Sequence, residues 1–330
     1  MRFENTNLQI FYDTAKKLGI PVRVLQKDPP KIILKFGSNS HVIARKSMGL
    51  NSQAGIELVR SKPKTQAILK KHGLPVLNYV IINSIKEYQN KAKNIGFPQV
   101  IKPAAGQKGK GVYLKVNSAD EAKRALNQIF PEFDSAVVEP YFQAQDYRFL
   151  VLDGKVIGLS RRLPPQIACD GKHNLRQLIE IENKKRLQDN QKTGRRLLNR
   201  MHRWSRIDWY LSSQRKSFQD VPKKGEIITV YPLPNFSTGG SVETINPQSI
   251  HPSLINLAEC AARVLELTIC GVDILIKNLK KPASPQNSVI IELNSDPGIR
   301  LHEWPNQGSP QPVASKILQF IQLRSSKITP

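Results

Sequence analysis

Two runs near the C-terminal end constrain this chain more than any others: Gly271-Val-Asp-Ile-Leu-Ile-Lys277 and Ser288-Val-Ile-Ile-Glu-Leu-Asn-Ser-Asp-Pro-Gly298. Both are rich in Val and Ile, and a loop of Lys, Pro, Ser and Asn separates them, so they predict two β-strands. Side chains alternate faces along a strand, which puts Glu292 and Asn294 on one side. Asp273, in the other arm, is placed to face them. Two carboxylates and an amide oxygen on one spot form an all-oxygen site of the Mg2+ type. Such a cation usually travels with a nucleotide, so the rest of the chain has to be searched for a nucleotide site.

At 330 residues the chain is long enough for a sizeable core or for two or three smaller ones. No run approaches the ~18 uninterrupted apolar residues of a membrane helix, and the N-terminus lacks the apolar stretch of a signal peptide. Cys169, Cys260 and Cys270 are scattered and form no CxxC, which predicts neither a disulfide framework nor a zinc site and points to a reduced, cytoplasmic setting. Cys260 falls in an apolar helical pattern and reads as packing. The formal net charge of +24 is the outlier. It speaks to partners rather than to fold, and admits nucleic acid, phosphates or acidic substrates.

Helical spacing of apolar residues covers Leu8 to Leu18, and Val22–Leu25 and Ile32–Phe36 read as short strands. A helix from Lys64 ends at Gly73. Val76–Ile82 reads as a strand, Ser84–Ile95 as a helix, Gln99–Lys102 and Val112–Val116 as strands around a glycine-rich turn. Ala119–Phe130 is helical, Ser135–Tyr141 a strand, and Tyr147–Asp153 with Lys155–Arg161 a hairpin turning at Asp153-Gly154. A helix runs from His173 to Gln188. Residues 184–224 hold thirteen Lys or Arg against three Asp, with Trp204, Trp209, Tyr210 and Phe218 interleaved. Leu254, Leu257, Ala258, Ala261 and Leu265 mark an amphipathic helix before the Asp273 strand.

Gly106, Gly109 and Gly111 lie between two strands. They do not open a helix, as a dinucleotide fingerprint must, and Lys110 is followed by glycine rather than the Ser or Thr of a Walker A loop. A glycine loop between antiparallel strands can close its backbone N–H groups over phosphates, and Lys102 on the strand leading in offers them a point charge. Taken alone, the same residues read as a hairpin turn with a surface lysine. Glu139 and Asp146 singly read as ordinary strand-end acids, although a strand end can bond an adenine edge and a following acid can hold ribose hydroxyls.

Their order gives these signals weight: Lys64, Lys102, the glycine loop, Glu139, Asp146, the Arg161-Arg162 pair, then Asp273, Glu292 and Asn294. With Leu74-Pro-Val, Val138-Glu-Pro-Tyr141, Asp146-Tyr-Arg-Phe-Leu-Val, Asn235-Phe-Ser-Thr-Gly-Gly240 and Glu292-Leu-Asn-Ser-Asp-Pro-Gly-Ile-Arg-Leu-His302, the sequence resembles the ATP-grasp carboxylate–amine ligases. The likeness is closest to the ATP-grasp region of cyanophycin synthetase and to glutathione-synthetase-like ligases, and it runs through nearly the whole chain. Cyanophycin synthetase continues into a second, Mur-ligase-like half with no counterpart motif here, so its two-amino-acid polymerising cycle is not carried over. The segment before Lys64 also looks shortened against that enzyme.

The resemblance implies an α+β, ATP-grasp fold: a short α/β segment over 1–62, a small subdomain over 63–142 with the glycine flap, and a large subdomain over 143–325 carrying the basic insertion 184–224. It implies ATP with one or two Mg2+, Mn2+ being an alternative, and amide formation through an acyl phosphate. By position, Lys64 and Lys102 would hold α- and β-phosphates, with Gly106, Gly109 and Gly111 closing over β and γ. Glu139, Tyr141 and Asp146 would hold adenine and ribose, and Asp273, Glu292 and Asn294 the metal. Arg162, Arg300 and Lys102 would be the catalytic cations, Arg162 near the γ-phosphate and Arg300 at the acyl-phosphate oxygens or a substrate carboxylate. Arg148, Asn235, Ser237, Thr238, Gly239, Gly240 and His302 are candidate substrate contacts.

The expected substrate is an amino acid or a peptide, acidic if the basic segment is a docking surface, and a homo-oligomer is expected by analogy. Two other readings of 184–224 stand beside this one: a solvated basic face, and a nucleic-acid- or polyanion-binding surface on a nucleotide-binding fold. Steep salt dependence of DNA or RNA affinity would mark the last.

Overall fold

The computed structural model describes residues 3–25, 29–92, 94–105, 111–195 and 197–326. The chain divides into two compact units that interleave along the sequence. Met1–Val76, Gln145–Arg162 and Val242–Pro330 form the first, and Leu77–Ala144 with Leu163–Ser241 the second.

The first unit is built around a five-stranded sheet in the order Ser241–Thr244, Lys155–Leu163, Gln145–Leu152, Ile269–Ile276, Ser288–Asn294. Gln145–Leu152 and Lys155–Leu163 are the expected hairpin, and both turn residues, Asp153 and Gly154, take the positive φ that this tight connection requires. Alternation along the strands divides the apolar residues between two cores. Tyr147, Phe149 and Val151 pack with Cys270, Val272 and Ile274 against Leu254, Leu257, Ala258 and Ala261 of the helix Pro252–Val264. Leu150, Leu152 and Ile269 face the other way, onto the helices Thr6–Lys17 and Val313–Ser326 through Leu8, Phe11, Val313 and Ile317. Arg148, Asp273 and Gly271 share this second face with Leu150 and Ile269.

A three-stranded sheet of Val22–Leu25, Lys31–Phe36 and Asn39–Ala44 joins the same core. Its third strand and the helix Gln53–Arg60, capped by Ser52, are not evident from periodicity. The helix expected from Lys64 begins at Lys62 and ends before Gly73, whose φ is positive. The strand expected over Val76–Ile82 shrinks to Val80–Ile82, and Val76 makes only an isolated bridge to Ile290. Pro75 explains part of this: it carries no N–H, while its carbonyl accepts from Ile290.

In the second unit four strands run in the order Val80–Ile82, Ala136–Pro140, Gln99–Pro103, Tyr113–Val116. The helices Ile85–Lys91 and Ala119–Ile129 both start with Ser-x-x-Glu, the serine accepting from the glutamate's N–H and the glutamate from the residue before the serine. The first is shorter than its apolar pattern predicts. Ile82, Ile101, Leu126, Ile129 and Val138 form the core. A separate core of Ile167, Leu178, Ile179, Ile207, Leu211 and Ile228 holds together the helices Leu175–Thr193 and Trp204–Ser213 and the ribbon Gln166–Ala168 with Ile227–Thr229.

One side-chain assignment changes. Cys260 is not in the core: it lies half-buried on the outer side of its helix, where its thiol accepts from Arg263, whereas Cys169 and Cys270 are buried. Among the described residues no helix is long and apolar enough to cross a membrane.

Candidate active site

Strand register places the opening pair as its spacing requires. Asp273 stands directly opposite Glu292, and Gly271 opposite Asn294, across the antiparallel strands Ile269–Ile276 and Ser288–Asn294. On the other side of the same strand Asp273 is paired with Arg148, and Arg148 in turn with Ser160; Asp146 is paired with Arg162. One face of four adjacent strands therefore carries Arg162, Asp146, Arg148, Asp273, Glu292 and Asn294.

Their side chains form an alternating chain of charge. Arg148 grips Asp273 with both Nε and Nη2, the latter at 2.7 Å. Arg162 Nη2 donates to the second oxygen of Asp273 at 2.8 Å, and Nε and Nη2 of Arg162 bond the two oxygens of Asp146, each at 2.8 Å. Asp273 is 1% exposed, so without cations its charge would be very costly there. Burial alone would raise its pKa, but Arg148 and then Arg162 outweigh burial and hold it below the usual carboxylate range. Burial also works against the charge of Arg162, but Asp146 and Asp273 outweigh it and raise its pKa. Asp146 has one bidentate partner and a neighbouring carboxylate, and burial lifts it to about 6. Glu292 reaches solvent, yet the protein around it and then the Asp273 carboxylate raise its pKa.

Among the described residues no group of three or more His, Cys, Asp or Glu is placed to hold a metal ion. The donor set on this face is two opposed carboxylates and an amide oxygen. It is all oxygen and suits a hard divalent cation, but Asp273 already serves two guanidiniums, with which any cation there must share it.

The second unit holds a further ionic pair among the expected site residues. Lys102 and Glu139 lie on one face of neighbouring strands, opposite the core residues Ile101 and Val138, and Lys102 Nζ donates to Glu139 Oε1. Tyr141 follows, half-buried, its N–H donated to the Pro98 carbonyl. Gly106 and Gly109 lie outside the described residues. Gly111 is described: its φ is +70° and an added Cβ would stand 2.7 Å from Pro103 Cγ, so the loop's far end is closed to any side chain.

The Asn235–Gly240 turn is also specified by glycine. Gly239 has φ +94° with Met201 Cγ 2.5 Å from an added Cβ, and Gly240 would meet the Leu163 carbonyl at 2.7 Å. Ser237 and Asn235 are half-buried, but Thr238 is buried and its hydroxyl donates inward to the Asn235 carbonyl at 2.8 Å. Arg186, one of the thirteen basic residues of 184–224, is not on the surface at all. It is 5% exposed and clamps the turn from beneath: Nη1 donates to the Gly239 and Asn199 carbonyls and Nε to Glu182. The interleaved aromatics are likewise engaged. Trp204 and Phe218 pack on the second core with Arg176 stacked 3.6 Å above Trp204, and Trp209 meets Tyr113 edge to face at 5.0 Å. Lys184, Lys185 and Lys192 are exposed.

Arg300 and His302 lie on the short helix Arg300–Glu303 of the first unit and are buried, His302 completely. His302 is thus no direct contact for a substrate from solvent. Its Nδ1 lies 3.0 Å from Ser160 Oγ and 3.1 Å from Gln311 Oε1, and burial lowers its pKa to about 4. Lys64 is exposed on its helix; it is Lys62, two residues earlier, whose charge reaches Glu292. Two residues are about 200° of helix rotation, so only one of these lysines can face the carboxylate, and the Lys-Pro-Lys run does not say which.

Residues 59–183 match the RimK-like ATP-grasp domain. The chain is 30% identical over 291 residues to cyanophycin synthetase of Geminocystis herdmanii, covering 87% of this chain and 33% of that protein. It is 27% identical over 317 residues to the glutathione biosynthesis bifunctional protein GshAB of Clostridium perfringens, covering 95% and 40%. The chain thus spans about a third of the length of the cyanophycin synthetases it matches. The crystal structure of a bifunctional glutathione synthetase from Pasteurella multocida superposes with a TM-score of 0.68 at 22% identity, over 96% of this chain and 44% of that one. The fold is therefore ATP-grasp.

Proposed function

We propose that this chain, an ATP-grasp protein with a RimK-like domain, is an ATP-dependent carboxylate–amine ligase. In this reading a carboxylate oxygen of an amino acid or peptide attacks the γ-phosphorus of ATP. An acyl phosphate forms and ADP leaves. An amine nitrogen then attacks the acyl carbon, phosphate departs with the C–O bond electrons, the nitrogen loses a proton and an amide remains. The observation that carries the reading is the alternating chain Arg148–Asp273–Arg162–Asp146 on one sheet face, with Glu292 opposite Asp273, in a fold whose relatives include proteins named for ligase chemistry.

Little covalent work falls to side chains in such a reaction; positioning and charge stabilisation do most of it. Asp273, Glu292 and Asn294 would hold Mg2+, in one or two copies, and the ion would neutralise phosphate charge. Arg162 and Arg148, fixed by their carboxylates, offer preorganised N–H groups to a phosphoryl oxygen. Lys102, held by Glu139 in the second unit, is by itself a point charge suited to phosphate. Asp146 serves here by fixing Arg162, a role distinct from holding ribose. Arg300, buried on its short helix, would be a further cation for the transferred group. One exposed basic face, Lys184, Lys185 and Lys192, suits an acidic substrate. The packed state of Trp204 and Phe218 speaks against base stacking. A homo-oligomer in the cytoplasm completes the reading.

The test is phosphate release from ATP by the purified protein against amino acids singly and in pairs, with product masses. Release that requires both a carboxylate and an amine, with a product lighter than their sum by one water, supports it. Release indifferent to both would sink it.

A further inference from the structure

Gly271 sits in mid-strand, where glycine is unfavourable: it adds backbone entropy to the unfolded chain and brings no side chain to pack. Its φ is not positive, so the backbone does not require it. Space does. An ideal Cβ at Gly271 would lie 2.8 Å from Arg148 Cδ, 2.9 Å from Arg148 Nη1 and 3.1 Å from Pro297 Cβ. The stem of Arg148 therefore runs across the bare backbone of Gly271, one register step from its own partner Asp273. From that seat Nε and Nη2 reach Asp273. Among the described residues, Arg148 makes its hydrogen bonds through those two nitrogens, leaving the two N–H groups of Nη1 for another acceptor.

We propose that Gly271 is a positioning residue: its missing side chain is the seat that locks Arg148 onto Asp273 with the Nη1 edge turned to an oxyanion of the substrate, a phosphoryl or carboxylate oxygen. The functional half of this rests on the ligase reading; the steric half does not. Any side chain at 271 lifts the guanidinium from Asp273, which uncouples Arg148 from the carboxylate that fixes its angle. Arg148 is 7% exposed and has few other places to go.

A double-mutant cycle on the full chain tests it, using Gly271→Ala, Arg148→Val and the pair. Valine suits a buried strand and has no δ atoms. Gly271→Ala alone lowers the thermal midpoint by ~2–6 °C, the effect of overpacking. In the Arg148→Val background the same substitution is neutral or raises the midpoint by ~1–3 °C, because alanine then only lowers the entropy of the unfolded chain. Equal destabilisation in both backgrounds would assign the space to Pro297 and overturn the proposal. In ATP-dependent phosphate release, Gly271→Ala lowers kcat on the order of 10- to 100-fold with a smaller change in KM, and adds nothing to Arg148→Val. Full loss added on top of Arg148→Val would also overturn it. If Arg148→Val leaves release unchanged while the thermal cycle keeps its sign reversal, the ligase role of Arg148 fails and the seat stands. Should Arg148→Val not fold, Arg148→Ala, also without δ atoms, replaces it.

Discussion

Asp273 and Glu292 face each other across two antiparallel strands, yet their circumstances are opposite: the first is buried under two guanidiniums, the second opens to solvent with its pKa raised. Glu292 is therefore the carboxylate with oxygen to spare for a cation. Glu292→Gln keeps the shape and relieves a crowded negative charge. Its thermal midpoint should match wild type within ~2 °C, as for other open sites, while Mg2+-dependent phosphate release falls on the order of 100-fold. Unchanged release in a folded variant removes Glu292 from the site.

Lys102 and Glu139 form a pair that is mostly buried. Lys102→Ala takes the cation from Glu139 and should cost about 3 kcal/mol in denaturant unfolding. Pairing Lys102→Met with Glu139→Gln removes both charges and should recover most of that stability, without restoring nucleotide affinity. A titration with ATP showing normal affinity in the folded double variant would refute the phosphate role.

His302 provides a pH signature. Burial lowers its pKa from 6.5 to about 4. The unfolded chain therefore binds a proton, between these values, that the folded chain refuses. Its contribution is fully present above pH 6.5 and is lost as pH falls through 4. Over the full window it is worth about 3 kcal/mol, of which about 2 kcal/mol disappears between pH 7 and pH 5. His302→Asn, which keeps a donor near the Nδ1 position, should flatten the difference by that amount. Urea unfolding at the two pH values measures it; an identical pH dependence in the variant would contradict the buried, neutral state.

The basic segment divides by burial. Arg186→Met strips donors from two carbonyls and leaves Glu182 without its guanidinium, and should cost about 2–4 kcal/mol. Lys184→Gln and Lys185→Gln, on the exposed side of the same helix, should stay within about 0.5 kcal/mol. Equal effects from all three would contradict the clamp.

Much of this architecture is legible in sequence because local and global signals agree. The strands around Asp273 and Glu292, the Asp153-Gly154 hairpin and the two Ser-x-x-Glu helix starts follow from alternation, turn chemistry and capping. The strand Asn39–Ala44 is not legible, because only Ile43 in it is fully buried and its burial depends on pairing with Lys31–Phe36. The same holds for function. Which residues share a face can be read from period two; which charges touch cannot. The bidentate bond from Arg162 to Asp146 is visible only once the strand register is known, and Arg186 reads as surface charge until its bond to the Gly239 carbonyl is found. Gly271 gives no local signal, because the side chain it makes room for lies 123 residues away in sequence, at Arg148.

The central claim is that ATP cleavage here is coupled to amide formation. The most direct measurement incubates the protein with ATP, Mg2+ and pairs of amino acids, one 18O-labelled in its carboxylate, and follows the label into released phosphate. An acyl-phosphate route carries one carboxylate 18O into phosphate for each amide formed. Phosphate released without label while amide accumulates, or label-free hydrolysis with no amide at all, would contradict the account.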